Sequence, residues 1–361
     1  MFLFLIFFLC VYLLTLAFLS VLNTIRAEKG IDLANKAGLS VVFAACLGWI
    51  LLQVSSTQSL LNDSFFAFNW YPFILGAFAL SLNAVQRRTG RRFWSVLLIT
   101  VLSVAFIPQN LMIFQGVLPL FLDRLTTAIL WALFISAYGT MDKVIGLTFI
   151  QTNALCLSFA LVPILSANRG FLFSSEMAFY PLMISVALLA FASFKKHAPD
   201  LRLGRCGALP LGYLMGLFLI LLTAKGWTWV ALIMPIYYYY EIIYSRLNVL
   251  FHRANPQPKL FTFFISKIIR ENLDSKRILP SLFLFMLGFA VDGILFGHSF
   301  YISTVLALLL LVCIVYNLLH WGSRRVTYRT MYKDTKDMSV QIWQNLKTSI
   351  NEVSSAIKKK K

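Results

Sequence analysis

Two oppositely charged side chains, Asp142 and Lys143, interrupt an apolar stretch in SAYGTMDKVIGLTF, residues 136–149. An acid beside a base in such a place has two readings. It is an ordinary boundary pair whose charged ends reach the headgroup layer, or it belongs to a site in which bases hold phosphate oxygens. Further bases suited to phosphate are Arg87 and Arg88 in RRTGRR, Arg205 and Arg246. The RRTGRR run also anchors topology, with contact to lipid headgroups as its functional reading. Glu241 follows four tyrosines and has a plain role as partner of a tyrosine hydroxyl or of Arg246, while Asp292 reads as an interface residue. His197, His252, His298 and His320 are scattered without ligand spacing, and YYYYEIIY, residues 237–244, fits an aromatic belt.

These residues must be positioned by membrane helices. The chain has 361 residues, 59% of them hydrophobic, including 33 phenylalanines, and its mean hydropathy is +0.78. That is too much apolar surface for a water-soluble domain of this length. Apolar runs recur that approach the roughly 20 residues needed to cross about 30 Å of hydrocarbon. In lipid every backbone polar group must be satisfied internally, and the runs lack the strand alternation of a barrel. The expected fold is an all-α polytopic bundle of about eleven spans: 2–21, 39–54, 70–82, 93–107 with room to run past Pro108, 127–138, 144–165, 178–194, 209–224, 227–244, 279–296 and 301–321. Residues 1–321 would form the membrane domain, and residues 322–361 a basic cytoplasmic tail.

The net charge of +18 is not the mark of a nucleic-acid binder, because its placement follows the membrane. With the N-terminus outside and the spans alternating, all of the 32 Lys and Arg except Arg124, Arg169 and Lys225 fall on the inner side. The positive-inside rule then places the C-terminus in the cytoplasm. Residues 1–21 lack a basic leading region and read as a retained first span. The inner loop 245–277 contains KLFTFFISKIIRENL, which suits either a helix lying in the headgroup layer or a packed linker. Cys10, Cys46, Cys156 and Cys313 fall in spans and Cys206 in an inner loop, with neither a disulfide nor a metal pattern.

LWALFISAYGTMDKVIGLTF resembles the inner-loop signature NAxNxxDGxDGL of bacterial polyprenyl-phosphate sugar-1-phosphate transferases. Ala137, Asp142, Gly146 and Leu147 match; Ser136, Gly139, Lys143 and Ile145 depart. Other stretches resemble the family's motifs in the same order. AEKGIDLANKAGLSVV is similar to its first inner loop, LDxPN followed by GGLA, with Ile31, Asp32 and Asn35 matching. ALSLNAVQRRTGRRFWSVLL is similar to the loop with paired aspartates, here Asn83 and Ala84. FKKHAPDLRLGRCGALPLGYLMGL resembles NxxPAxxFxGDxGS, with Gly204 and Gly207 matching, Lys195 in place of the asparagine and Arg205 in place of an aspartate. The last stretch, WVALIMPIYYYYEIIYSRLNVLF followed by KLFTFFISK, resembles a span with a proline and an acid and then a histidine motif. Pro235, Glu241, Arg246, Phe263 and Phe264 fit, and Lys259 and Thr262 stand at the histidine positions.

The resemblance implies a cytoplasmic site in a bacterial inner membrane that transfers a sugar phosphate from a UDP-sugar to undecaprenyl phosphate for peptidoglycan or O-antigen synthesis. Such transfer gathers phosphate oxygens and calls for a divalent cation and basic clamps. Magnesium takes hard oxygen ligands, and the counterparts here are Asp142 and Asn83. With one carboxylate, one amide, and Lys143 and Arg205 adding positive charge, the expectation is that magnesium-dependent transfer is lost and that no cofactor is held. Lys143 or Arg205 would then take the cation's place beside Asp142. Undecaprenyl phosphate binding would survive, with Arg87, Arg88, Lys143, Arg205 and Arg246 as phosphate contacts and Glu241, Lys259 and Phe263 in a substrate loop. Similarity to the family also suggests a homodimer. Two alternatives stand beside this: a working transferase of HexNAc-1-phosphate with Asp142 catalytic and Mg2+ bound, and an unrelated lipid transporter or flippase.

Overall fold

The computed structural model describes residues 2–29, 36–57, 68–85, 92–114, 118–141, 146–165, 174–198, 201–240, 243, 275–296, 301–314 and 316. Among them every long element is a helix and no residue is in a strand: α1 Phe2–Lys29, α2 Gly38–Thr57, α3 Tyr71–Val85, α4 Arg92–Ala105, α5 Leu120–Met141, α6 Leu147–Leu165, α7 Ser174–Phe194, α8 Gly204–Ala224, α9 Thr228–Ile233 and α10 Ser275–Phe296, then α11 Tyr301–Ile314. Six of these, α1, α2, α5, α6, α7 and α8, are long and apolar enough to cross a membrane. The protein is thus a membrane helix bundle by length and composition of its elements. Each apolar segment picked out in the sequence is helical over most of its described residues; Trp70, Phe106, Ile107, Gly146, Trp227, Met234 and Pro235 are the exceptions.

Successive helices run antiparallel, so α2, α4, α6 and α8 begin at one end of the bundle, the basic end, where α3, α5 and α7 finish. The Gly38 N–H donates to the Leu203 carbonyl at 2.9 Å there, tying the start of α2 to the start of α8. Helix α8 is the centre: it packs against α2, α3, α5, α6 and α9, and almost all of its residues are buried. Pro210 lies inside it and has no N–H to offer the Cys206 carbonyl one turn back; the Ser81 hydroxyl of α3 donates to that carbonyl instead, at 3.2 Å. Tyr213 of α8 stacks on Trp131 of α5, with ring centres 4.5 Å apart, and accepts the indole N–H on its carbonyl at 2.9 Å.

Toward the other end an aromatic cluster joins α2, α3, α7 and α8. Trp49 meets Tyr180 edge-on at 5.0 Å and donates its N–H to the Tyr180 carbonyl at 3.0 Å, and Trp70 lies 4.5 Å from Tyr180. Exposed Leu5, Leu9 and Leu13 on α1, Leu98 and Leu102 on α4, and Leu308, Leu309 and Val312 on α11 turn outward, as a lipid-facing surface requires.

Several expected boundaries shift. The fourth segment does not run past Pro108: α4 stops at Ala105 and a 3-10 turn follows over Gln109–Leu111. Helix α8 starts at Gly204 rather than at 209, so Cys206 sits in a helix and is buried, not in a loop. Helix α5 starts at Leu120, drawing Asp123 into its first turn, where the carboxylate accepts the Phe114 N–H at 3.3 Å. Tyr237 and Tyr238 are fully buried rather than part of an interfacial belt, with Tyr238 4.9 Å from Tyr138 of α5. Asp292 is likewise buried against protein: Trp229 donates to the Ser303 hydroxyl at 3.0 Å, and Ser303 to Asp292 at 3.3 Å, a chain that links α9, α11 and α10.

Candidate functional site

At the basic end, the last turn of α3 and the first turns of α4 and α8 converge. Asn83 and Arg205, read from separate motifs, line one recess there with Leu80, Ala84, Ser95, Val96 and Leu209. Gly204 makes the approach possible: its φ of 65° is left-handed, a conformation that costs a residue with a side chain roughly 1–2 kcal/mol. The chain can therefore turn sharply into α8 and present Arg205 beside α3. The recess has room for about 10 Å³, near the minimum for a single water.

Those neighbours do not fit a magnesium ion by themselves. Asn83 offers one amide oxygen, Ala84 none, and Arg205 brings a positive charge; at about 4 Å and an effective dielectric of 20, a unit charge repels a cation by about 4 kcal/mol per charge. Among the described residues no three His, Cys, Asp or Glu side chains gather as metal ligands. Asp142 and Lys143 lie outside the described residues, as do Arg87, Arg88, Glu241, Arg246, Lys259 and Phe263, loop 245–274 and the tail 322–361. Of the expected site, the structure brings together Asn83 and Arg205.

The larger feature was not visible in the sequence. A groove of about 800 Å³ lies between α4, α5, α8 and α9. Its length along α5, from Leu130 to Thr140, is about 15 Å at 1.5 Å per residue. Its lining includes Phe93, Leu133, Phe134, Leu219, Ile220 and Leu232. Three of the hydroxyls on its wall are turned back onto their own helices: Ser136 donates to Ala132 at 2.8 Å, Thr140 to Ala137 at 2.7 Å and Thr223 to Leu219 at 2.9 Å. Each thereby satisfies itself within its helix and leaves an apolar wall.

Gly216 shapes the floor. A Cβ there would lie 2.5 Å from Trp131 Cδ1, so only glycine lets the indole lie flat against α8. The groove reaches the basic end at Ser136, Ala137 and Thr140, the residues that lead into Asp142. An apolar channel of this length can hold a long hydrocarbon. No protein-family model and no curated protein sequence matches this chain.

Proposed function

We propose that this chain is a multi-pass protein of a bacterial inner membrane that binds a polyprenyl phosphate, undecaprenyl phosphate or its sugar-linked form, as a divergent relative of the sugar-1-phosphate transferases without their magnesium chemistry. About eleven spans, an outer N-terminus and a cytoplasmic C-terminus complete the reading, on the strength of the one-sided Lys and Arg. The observation that carries it is the groove: an apolar channel of about 800 Å³ lined near the end of α5 by Ser136, Ala137 and Thr140, inside the very stretch that resembles the family signature. The prenyl chain would lie along α5 and α8, and the phosphate at the basic end.

Loss of the chemistry is supported by the Asn83 and Arg205 recess, where the family has acids and this chain has an amide and a guanidinium. The experiment is conversion of radiolabelled UDP-HexNAc and undecaprenyl phosphate by the purified full chain with magnesium, beside a competition assay for undecaprenyl phosphate binding. Binding without product supports the proposal. Product that disappears in Asp142→Asn replaces it with a working transferase, and absence of binding overturns it.

A further inference from the structure

A second cavity, of about 400 Å³, opens at the basic end between the start of α6, the end of α7 and the segment 201–203; among the described residues it shares no lining with the groove. Its volume is in the range of about 300–1,000 Å³ typical of small-molecule sites. Three cations line it, Lys195, Lys196 and Arg202, together with Thr148, Phe149 and Phe191. We propose that this cavity is a binding site for a phosphate-bearing anion, held by Lys195, Lys196, Arg202 and the Thr148 hydroxyl.

Four observations converge on it. Lys195 and Arg202 stand close enough to repel one another: burial first, and then the Arg202 charge, hold the Lys195 amine below the ordinary lysine range. Among the described residues no carboxylate pairs with any of the three cations, so a bound anion would relieve their mutual repulsion. Thr148 is 2% exposed, and its hydroxyl has no hydrogen-bond partner among the described residues; a buried hydroxyl without a partner is costly unless a ligand engages it. The cavity also faces the first turn of α6, whose leading N–H groups lack partners within the helix and carry its positive dipole end. Gly146 at φ 86° turns the chain into that helix on the cavity rim.

Phe149 and Phe191 give the site an apolar wall next to its charges, so a phosphate ester fits better than a bare ion. The ester could come from a lipid headgroup at the membrane surface or from a soluble phosphate compound. The proposal stands independently of what fills the groove.

The test uses the full chain in phosphatidylcholine nanodiscs and follows the rate of amine labelling at Lys195, with Lys225 at the other end of α8 as internal reference. One arm adds inorganic pyrophosphate; the other replaces part of the lipid with phosphatidylglycerol. At a ligand concentration ten times its dissociation constant, labelling of Lys195 should slow by about tenfold, with Lys225 unchanged. Protection in the first arm identifies a soluble phosphate, and protection in the second alone identifies a lipid headgroup. Arg202→Gln and Thr148→Val should each weaken it. Equal Lys195 labelling in all arms, or protection undiminished in both variants, overturns the proposal; the wild-type arms decide it even where a variant does not fold.

Discussion

Gly38 and Gly207 meet backbone to backbone where α2 begins against α8. A Cβ on Gly207 would lie 2.6 Å from the Gly38 Cα, and the Gly38 N–H is already committed to the Leu203 carbonyl. In lipid there is no hydrophobic gain from bringing helices together, so close approach through small residues is the main source of their attraction.

Gly207→Ala should therefore destabilise the bundle by about 1–3 kcal/mol, the usual cost of overpacking. Gly288 in α10 is the control: a Cβ there meets nothing nearer than Leu310 at 3.7 Å. Gly288→Ala should be neutral or gain up to about 1 kcal/mol from reduced chain entropy. Thermal unfolding of both variants in one detergent measures the contrast, and equal behaviour of the two would refute the close-contact account.

Filling the groove tests what it holds. Ala137 is half-buried on its wall, and Ala137→Trp would project an indole into the space near the basic end. Affinity for undecaprenyl phosphate should fall about tenfold, equivalent to about 1.4 kcal/mol, with the melting temperature nearly unchanged. An unaltered affinity in the competition assay would remove the groove as the prenyl site.

Gln151 is fully buried in α6, and neither its amide oxygen nor its nitrogen has a hydrogen-bond partner among the described residues. Gln151→Met keeps the side-chain length and removes both polar atoms. Stability should rise by about 1–3 kcal/mol, the desolvation penalty of an unsatisfied group. A drop in unfolding temperature instead would show that the amide is engaged in the folded protein.

Lys195 gives a pH dependence with a definite sign. Its amine is held below the ordinary value of 10.5, so it sheds its proton before a solvated lysine does. Between the lowered value and 10.5 the unfolded chain binds more protons than the folded chain, and Lys195's contribution to stability rises with pH across that window. Anion binding runs the other way: it should weaken as pH climbs through the same window, because one of the three cations facing the ligand is lost while Arg202 stays charged. Calorimetric titration of pyrophosphate affinity from pH 7 upward reads this, and in Lys195→Arg the decline should disappear.

Helix positions were legible in the sequence, and their ends less so. Hydropathy cuts a span wherever charge appears, but a helix continues through charge that its fold can accommodate. Asp123 shows this: it lies in the first turn of α5, with its carboxylate accepting the Phe114 N–H and the Thr127 hydroxyl at 3.3 and 3.4 Å, and an acid at a helix N-terminus is electrostatically favourable. The charge of Arg205 likewise hides the start of α8 from hydropathy, although Gly204 opens a helix that holds Arg205, Cys206 and Pro210.

The sequence by itself determined that this is a membrane helix bundle, because the length and apolar character of each run are local and additive along the chain. It also marked Asn83 and Arg205 as residues of interest, but not that they share one recess. The groove, the cluster of Lys195, Lys196 and Arg202 around Thr148, and the burial of Tyr237, Tyr238 and Asp292 were decided by tertiary structure alone. In a bilayer the lipid-facing and protein-facing sides of a helix are both apolar, so hydropathy carries no record of which face meets which helix. Only packing around α8 makes that choice.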